Sequence, residues 1–238
     1  MENVFPFDGV NSTLTLFAFF VTSGLIVTQN CATALAVVNP FSGADHGLAI
    51  WFHERLTPTF VTVLHGFTEF GSGEWIGIVL SALVLFFAWK RWWPSIVMLV
   101  IVVPGGMLLN EWLKVVVHRQ RPFVDGPFVD WSGYSFASGH TIGATLLYGQ
   151  LLLFLLPSLK ARHLRLLSVF SAVFLVLLVG FSRIALGAHF LTDVLAAIFF
   201  GIIWLILCTV FGNSVARRSV APVISGPPAQ SCIAEVDR

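Results

Sequence analysis

The sequence predicts an all-α fold: a polytopic membrane bundle of about six transmembrane helices, with short interfacial helices after the first. Its 238 residues are 57% hydrophobic and only 11% charged, and the mean hydropathy is +0.88. So few charged residues cannot form the surface of a soluble protein, in which about a quarter of the residues are charged. The apolar stretches also lack the alternating pattern of a transmembrane barrel, which leaves a helical bundle.

Six apolar stretches could cross a bilayer, whose core needs about 20 helical residues. The first stretch is the most polar, so we expect it to pack against neighbouring helices. The second is short, and the sequence does not define its ends. The six stretches are residues 14–38, 75–89, 94–113, 141–158, 165–182 and 190–211.

Two segments outside these stretches have a distinct composition. Residues 39–74 are rich in Gly, Pro, His and aromatic side chains. Within them, 44–67 is expected to form short interfacial helices that place Trp51 and Phe52 in lipid. The segment is also a candidate lid or lipid gate. Residues 219–238 contain Pro, Gly and Ser without a spanning stretch, and we expect a disordered cytoplasmic tail.

Basic residues indicate the orientation, because short cytoplasmic loops carry an excess of Lys and Arg. In a six-helix zigzag, three basic groups share one side, which we expect to be cytoplasmic together with both termini. They are Lys90 with Arg91, Lys160 with Arg162 and Arg165, and Arg217 with Arg218. Five further basic residues lie on the opposite side, where a phosphate site is one use for them. They are Arg55, Lys114, Arg119, Arg121 and Arg183.

The first of three polar clusters runs from Lys114 to Pro122. On a continuing helix, Lys114 and Arg121 would lie two turns apart on one face. Pro122 disfavours helix at Arg121 and marks the point where the chain leaves the membrane. Taken alone, this cluster is better explained by cations that extend from a helix end toward water.

The second cluster, Ser138-Gly139-His140, precedes the fourth apolar stretch. Ser138 can cap that helix, Gly139 lets the backbone approach a ligand, and the helix start offers N–H groups to an anion. His140 in the first turn could give or accept a proton. An ordinary helix cap beside an interfacial histidine explains this cluster equally well on its own.

The third cluster contains Ser182-Arg183, His189 and Asp193. His189 and Asp193 are four residues apart, so they share a face if both are helical. A carboxylate on one ring nitrogen fixes the tautomer and leaves the other nitrogen free as a nucleophile. The alternative is a structural ion pair, but a His–Asp pair beside an arginine in an apolar setting favours a functional site.

All three clusters are predicted to meet at one membrane face. Together they supply what is needed to hold phosphate oxygens, attack phosphorus and protonate a leaving oxygen. A Gly-rich nucleotide loop and an acidic metal cage are missing from the sequence, which argues against a kinase or a magnesium enzyme. The net charge of +1 and the lack of a long basic run give no indication of nucleic-acid binding.

These residues resemble the type 2 phosphatidic acid phosphatase family, which also includes soluble vanadium haloperoxidases. The family pattern is Lys, six residues, Arg-Pro; then Pro-Ser-Gly-His; then Ser-Arg, five residues, His, three residues, Asp. The chain matches every position except the proline, where it has Ala137. No reacting atom is lost there, so we expect an altered geometry and a working site in a membrane-embedded phosphatase domain over 1–218.

The resemblance implies a role for each matched residue. His189 would form a phosphohistidine, Asp193 would orient it, and His140 would protonate the leaving oxygen. The phosphate oxygens would be held by Lys114, Arg121, Ser138, Gly139 and Arg183. The family needs no metal, so neither a metal nor another cofactor is expected. His118 and Arg119 lie between motif positions and receive no role.

The substrate implied is a lipid phosphate or pyrophosphate at the non-cytoplasmic face. Phosphatidic acid, phosphatidylglycerophosphate, undecaprenyl pyrophosphate and a phosphorylated glycolipid remain open, as does the oligomeric state. A compact chain of this kind fits a bacterial inner membrane with the site facing the periplasm. The alternatives are a lipid phosphotransferase with the same site, a metal-dependent hydrolase using His140, His189 and Asp193, and a non-catalytic anion or lipid transporter. A transporter would not need the His189–Asp193 spacing.

Overall fold

The computed structural model describes residues 40–123 and 133–220, together with Thr22 and Ile26. Within these ranges the chain forms helices and contains no strand, which confirms the all-α prediction. The short 3-10 helices are Glu69–Gly71 and Leu156–Ser158. The α-helices are α1 Ser42–Arg55, α2 Pro58–Thr68, α3 Gly73–Trp89, α4 Trp93–Val117, α5 Gly139–Leu155, α6 Arg162–Ala185 and α7 Leu191–Val220.

Five segments of the described chain are long and apolar enough to cross a membrane. They confirm the predicted stretches from the second onward, and the second is longer than predicted because α2, the following 3-10 turn and α3 form one apolar segment. The predicted first stretch, 14–38, lies outside the described residues apart from Thr22 and Ile26, which are helical. The predicted tail also lies outside them from residue 221, and α7 continues to Val220.

Helix α5 lies at the centre of the bundle. It packs against α3, α4, α6 and α7, and Ile142, Leu146 and Leu147 on it are completely buried. Helix α6 instead exposes large apolar side chains such as Phe170 and Phe174. Because a spanning helix meets lipid wherever it does not meet protein, α6 is a peripheral helix and α5 is the scaffold.

The short helices predicted within 44–67 correspond in sequence to α1 and α2, and both contact α6. Their interfacial location stays a prediction for α1, whereas α2 is part of the apolar segment Pro58–Trp89. Thr57 caps α2 by accepting a hydrogen bond from the Phe60 N–H, and Pro58 occupies its first position. Trp51 is exposed as predicted. Phe52 is partly buried, and its ring packs edge-on against Phe181 with 5.6 Å between the centroids; that both side chains lie in lipid stays a prediction.

Helix α4 ends before Arg121, so the continuous helix considered for Lys114 and Arg121 is not formed. It stops at Val117, and His118 follows in a left-handed conformation with φ 51°. Arg121 therefore does not share a helix face with Lys114. It enters the site from the non-helical segment after α4, while Lys114 enters from the last turn of the helix.

Candidate active site

His189 occupies the loop between α6 and α7 and is 2% exposed. Its Nδ1 atom lies 2.7 Å from the carbonyl oxygen of Ser135. Because a carbonyl oxygen can only accept, Nδ1 carries the proton in the neutral ring, and Nε2 is the unprotonated nitrogen. The structure thus presents one ring nitrogen of a buried histidine as a potential nucleophile.

Asp193 lies close to His189 but does not bond it directly. Its Oδ2 atom is 3.9 Å from Nδ1 of His189, and this oxygen instead accepts from the Ser135 hydroxyl at 2.5 Å and the Phe190 N–H at 2.9 Å. The direct contact expected from helical spacing is not formed because α7 begins only at Leu191. Ser135 therefore links the carboxylate to the ring.

The guanidinium of Arg121 is held beside Nε2 of His189, the unprotonated ring nitrogen. Its Nε donates to the Gly133 carbonyl at 3.1 Å and its Nη1 to the Ala188 carbonyl at 3.0 Å. The same Nη1 lies 3.4 Å from Nε2 of His189. A phosphorus atom placed for attack by Nε2 would therefore have its oxygens within reach of the Arg121 guanidinium.

Arg183 is buried in the last turn of α6, with 2% exposure. Its Nη1 donates to the Thr68 hydroxyl at 3.3 Å, so α2 helps to set the direction of this side chain. The main-chain carbonyl of Arg183 accepts from the N–H of His189 at 3.3 Å. The predicted nucleophile is thus hydrogen-bonded to the main chain of Arg183.

The second cluster forms the start of α5, as the sequence predicted. Gly139 is the first helical residue, and a Cβ at this position would lie 3.5 Å from the Lys114 ammonium. Ser138 occupies the N-cap position, but its side chain makes no capping bond and accepts from the Thr141 hydroxyl at 3.0 Å. His140 is close enough to Arg183, Lys114 and Arg121 to experience the charge of each.

The electrostatics favour a neutral His189. Burial is the main cause that lowers its pKa well below 6.5, and the positive charges of Arg183, Arg121 and Lys114 lower it further. Burial also lowers the pKa of Arg121, while Asp193 and Glu111 oppose that shift. A neutral imidazole among cations is suited to attack an anionic phosphate, whose charge those cations would offset.

Lys114 has a carboxylate partner, which leaves two of its three N–H donors for other acceptors. Its ammonium lies 2.6 Å from Oε1 of Glu111, which is 65% exposed, whereas Lys114 is 18% exposed. Within the described residues, no group of three or more His, Cys, Asp or Glu side chains is arranged to hold a metal ion.

Four residues of the site were given no role from the sequence. Ser135 joins His189 to Asp193, and Thr68 orients Arg183. The other two are Arg119, which contacts Asp193, and Asp45, which contacts Arg119. A signal for Arg119 existed, since it is one of the basic residues on the side where the orientation rule disfavours them.

Comparison with known proteins agrees with the motifs. Residues 96–216 match the family model described as the PAP2 superfamily. Phosphatidylglycerophosphatase B of Bacillus subtilis (strain 168) is 33% identical over 208 residues, covering 86% of this chain and 96% of that protein.

The fold is also similar to a solved structure, the first transmembrane PAP2 type phosphatidylglycerolphosphate phosphatase from Bacillus subtilis. The TM-score is 0.70 and the identity 27%, over 80% of this chain and 95% of that one. The residues matched by the family model include His140, Arg183 and His189. This chain is an integral membrane phosphatase that belongs to the PAP2 superfamily.

Proposed function

We propose that this protein hydrolyses the phosphate monoester of phosphatidylglycerophosphate through a phosphohistidine at His189. The observation that carries the proposal is the unprotonated Nε2 of His189, 3.4 Å from Nη1 of Arg121, on a ring whose Nδ1 donates a hydrogen bond to the Ser135 carbonyl. The substrate class is supported by the names of the relative and of the similar solved structure, which both act on this lipid.

In the first step, Nε2 of His189 attacks phosphorus and the bond between phosphorus and the lipid oxygen breaks. His140 gives a proton to the leaving oxygen, which departs as the hydroxyl of phosphatidylglycerol. Arg121, Arg183 and Lys114 offset the charge that develops on the non-bridging oxygens. Asp193 stabilises the positive charge that His189 acquires on attack, acting through the Ser135 hydroxyl.

In the second step, water attacks the phosphohistidine and the bond between phosphorus and nitrogen breaks. His140, now without its proton, takes one from this water and returns to its starting state. Inorganic phosphate leaves, and His189 regains its free Nε2. No step passes through a metal ion, so hydrolysis proceeds in the presence of a chelator.

The site faces the non-cytoplasmic side in this proposal. The basic loops Lys90–Arg91 and 160–165 lie at the opposite end of the bundle from His189, as the positive-inside rule requires of cytoplasmic loops. In a bacterium, this places the reaction at the outer face of the inner membrane. Both termini are then cytoplasmic.

The test is phosphate release by the purified full-length chain in detergent with EDTA present. Phosphatidylglycerophosphate, phosphatidic acid and undecaprenyl pyrophosphate are compared as substrates for the wild type, His189→Ala and His163→Ala. His163 is an exposed residue at the start of α6 and serves as a matched control. We expect the highest kcat/KM for phosphatidylglycerophosphate, no activity in His189→Ala and full activity in His163→Ala.

Other outcomes separate the alternatives. A higher kcat/KM for either of the other lipids would reject the substrate but retain the histidine mechanism. Activity that EDTA abolishes would reject the metal-independent mechanism. Phosphate that appears on an added lipid acceptor instead of in solution would identify a phosphotransferase.

A further inference from the structure

The side chain of Arg119 lies between the carboxylates of Asp45 and Asp193. Its Nη1 is 2.5 Å from Oδ1 of Asp193, and its Nη2 is 2.8 Å from Oδ2 of Asp45. Its guanidinium also covers the Phe190 ring, with 4.3 Å between Cζ and the ring centroid. These three contacts hold the guanidinium in one orientation, whereas the guanidinium of a surface arginine would be flexible.

Asp45 comes from α1, far from the motifs in sequence, and its side chain is completely buried. Besides Arg119, it binds Thr192 in the first turn of α7. Its Oδ2 accepts from the Thr192 hydroxyl at 2.6 Å and its Oδ1 from the Thr192 N–H at 3.1 Å. Because the first N–H groups of a helix have no partner within it, Asp45 acts as an N-terminal cap supplied by another helix.

Asp193 is contacted on the side away from His189 by Arg119, which forms one unit with Asp45 and Thr192. Oδ2 of Asp193 faces Ser135 and the nucleophile loop, whereas Oδ1 faces Arg119. The main chain reinforces this arrangement, because the Ser135 N–H donates to the Arg119 carbonyl at 2.7 Å. Arg119 therefore touches both Asp193 and Ser135, the residues through which His189 is oriented.

We propose that Asp45 and Arg119 are positioning residues for the nucleophile: they hold Asp193 and Ser135 in the arrangement that keeps Nε2 of His189 aimed at phosphorus. Neither residue contacts the phosphate in this proposal, and the helix α1 becomes a fixed part of the active site. The inference rests on the proposed function, since it requires His189 to be the attacking group. It also argues against a freely opening lid at α1, because opening would break the ion pair of Asp45 with Arg119 and both of its hydrogen bonds to Thr192.

The experiment compares kcat and KM for phosphatidylglycerophosphate among monodisperse, full-length variants in detergent. Arg119→Lys keeps the charge but cannot donate to both carboxylates in one plane. We expect it to lower kcat about 10- to 100-fold, the range seen when the residue that orients a metal-binding histidine is mutated, with KM within about twofold of wild type. Asp45→Asn should lower kcat in the same direction. In the double variant the losses should not multiply, since the two residues act as one unit.

Thr192 provides a second test that does not depend on a charge change. Thr192→Val removes the hydroxyl that bridges Arg119 and Asp45, and Thr192→Ser retains it. We expect kcat to fall in the valine variant and to be restored in the serine variant. If Asp45→Asn does not fold, the two Thr192 variants and Arg119→Lys still test whether the unit positions the nucleophile. Glu54→Gln, an exposed change in α1, is the matched control and should be neutral.

Two results would overturn the inference while the proposed function stands, with His189→Ala inactive. One is an unchanged kcat in folded Arg119→Lys and Thr192→Val, which would mean that the unit only stabilises the fold. The other is a raised KM with unchanged kcat, which would place Arg119 among the phosphate-binding residues. If His189→Ala retains activity, the proposed function itself fails and the inference fails with it.

Discussion

The Nδ1 atom of His189 lies 2.7 Å from the main-chain carbonyl oxygen of Ser135. The serine uses its main chain for the ring and its side chain for the carboxylate of Asp193. The tautomer of His189 is therefore set by a backbone group, which no side-chain substitution at position 135 removes. The orientation of the carboxylate, in contrast, depends on a hydroxyl that can be deleted.

Ser135→Ala should reduce activity less than Asp193→Asn does. The variant keeps the carbonyl that fixes the tautomer, but a buried carboxylate loses one partner, which costs about 1–3 kcal/mol of stability. Phosphate release and thermal unfolding in detergent measure the two effects. Ser168→Ala, which removes an exposed hydroxyl that bonds the Leu164 carbonyl, is the control. A loss as complete as that of His189→Ala would mean that the hydroxyl takes part in the chemistry.

The ring of His189 should stay neutral as the pH falls to 6.5 and below, because burial and the neighbouring cations lower its pKa. In the unfolded chain the ring binds a proton at a higher pH than in the folded protein. The stability that comes from the neutral ring is therefore fully present above the pKa of the unfolded chain, and it is lost as the pH falls from there toward the lower pKa of the folded protein. NMR of the 15N-labelled histidine rings, with His189→Gln to assign the signal, measures the titration. A His189 signal that titrates at or above 6.5 would contradict the electrostatic account.

Thr68→Val should raise KM by several-fold with a smaller effect on kcat. Valine has nearly the shape of threonine but cannot accept the hydrogen bond from Nη1 of Arg183, so the guanidinium would be less well directed at the phosphate. Steady-state kinetics separate the two constants. Thr62→Val, on an exposed position of the same helix, is the matched control. Equal effects of the two variants would show that Thr68 has no special relation to Arg183.

Gly71→Ala should impair both stability and activity. A Cβ at this position would lie 2.7 Å from the carbonyl oxygen of His140 and 2.7 Å from a methyl group of Val179, so the start of α5 would have to move. Overpacking of this kind costs about 1–3 kcal/mol. Gly73→Ala, where a Cβ meets nothing within 4 Å, should be neutral in thermal unfolding and phosphate release. An active, stable Gly71→Ala protein would contradict the close packing of α5.

The sequence was sufficient to predict the spanning helices from the second stretch onward. The lengths of the apolar stretches predicted α3 to α7, because spanning helices are long and uninterrupted. The helix start at Gly139 followed from the local pattern of Ser138, Gly139 and the apolar run after them. These are local properties of the chain, which is why a single sequence contains them.

The contacts that join distant segments could not be predicted in this way. Asp45 contacts Arg119 across 74 residues and Thr192 across 147, and no periodicity connects such positions. Thr68 and Arg183 are 115 residues apart. The spacing of His189 and Asp193 suggested a direct bond, but the helix begins between them and a serine from another loop fills the gap.

In the proposed mechanism, His189 carries the phosphate during turnover. The direct measurement is rapid acid-free quenching of the enzyme with phosphatidylglycerophosphate labelled with 32P in its terminal phosphate, followed by proteolysis and mass spectrometry. We predict an acid-labile, base-stable phosphate on the peptide that contains His189, formed and lost fast enough to account for kcat and missing in His189→Ala. Turnover without label on His189, or with label on another residue, would contradict the account.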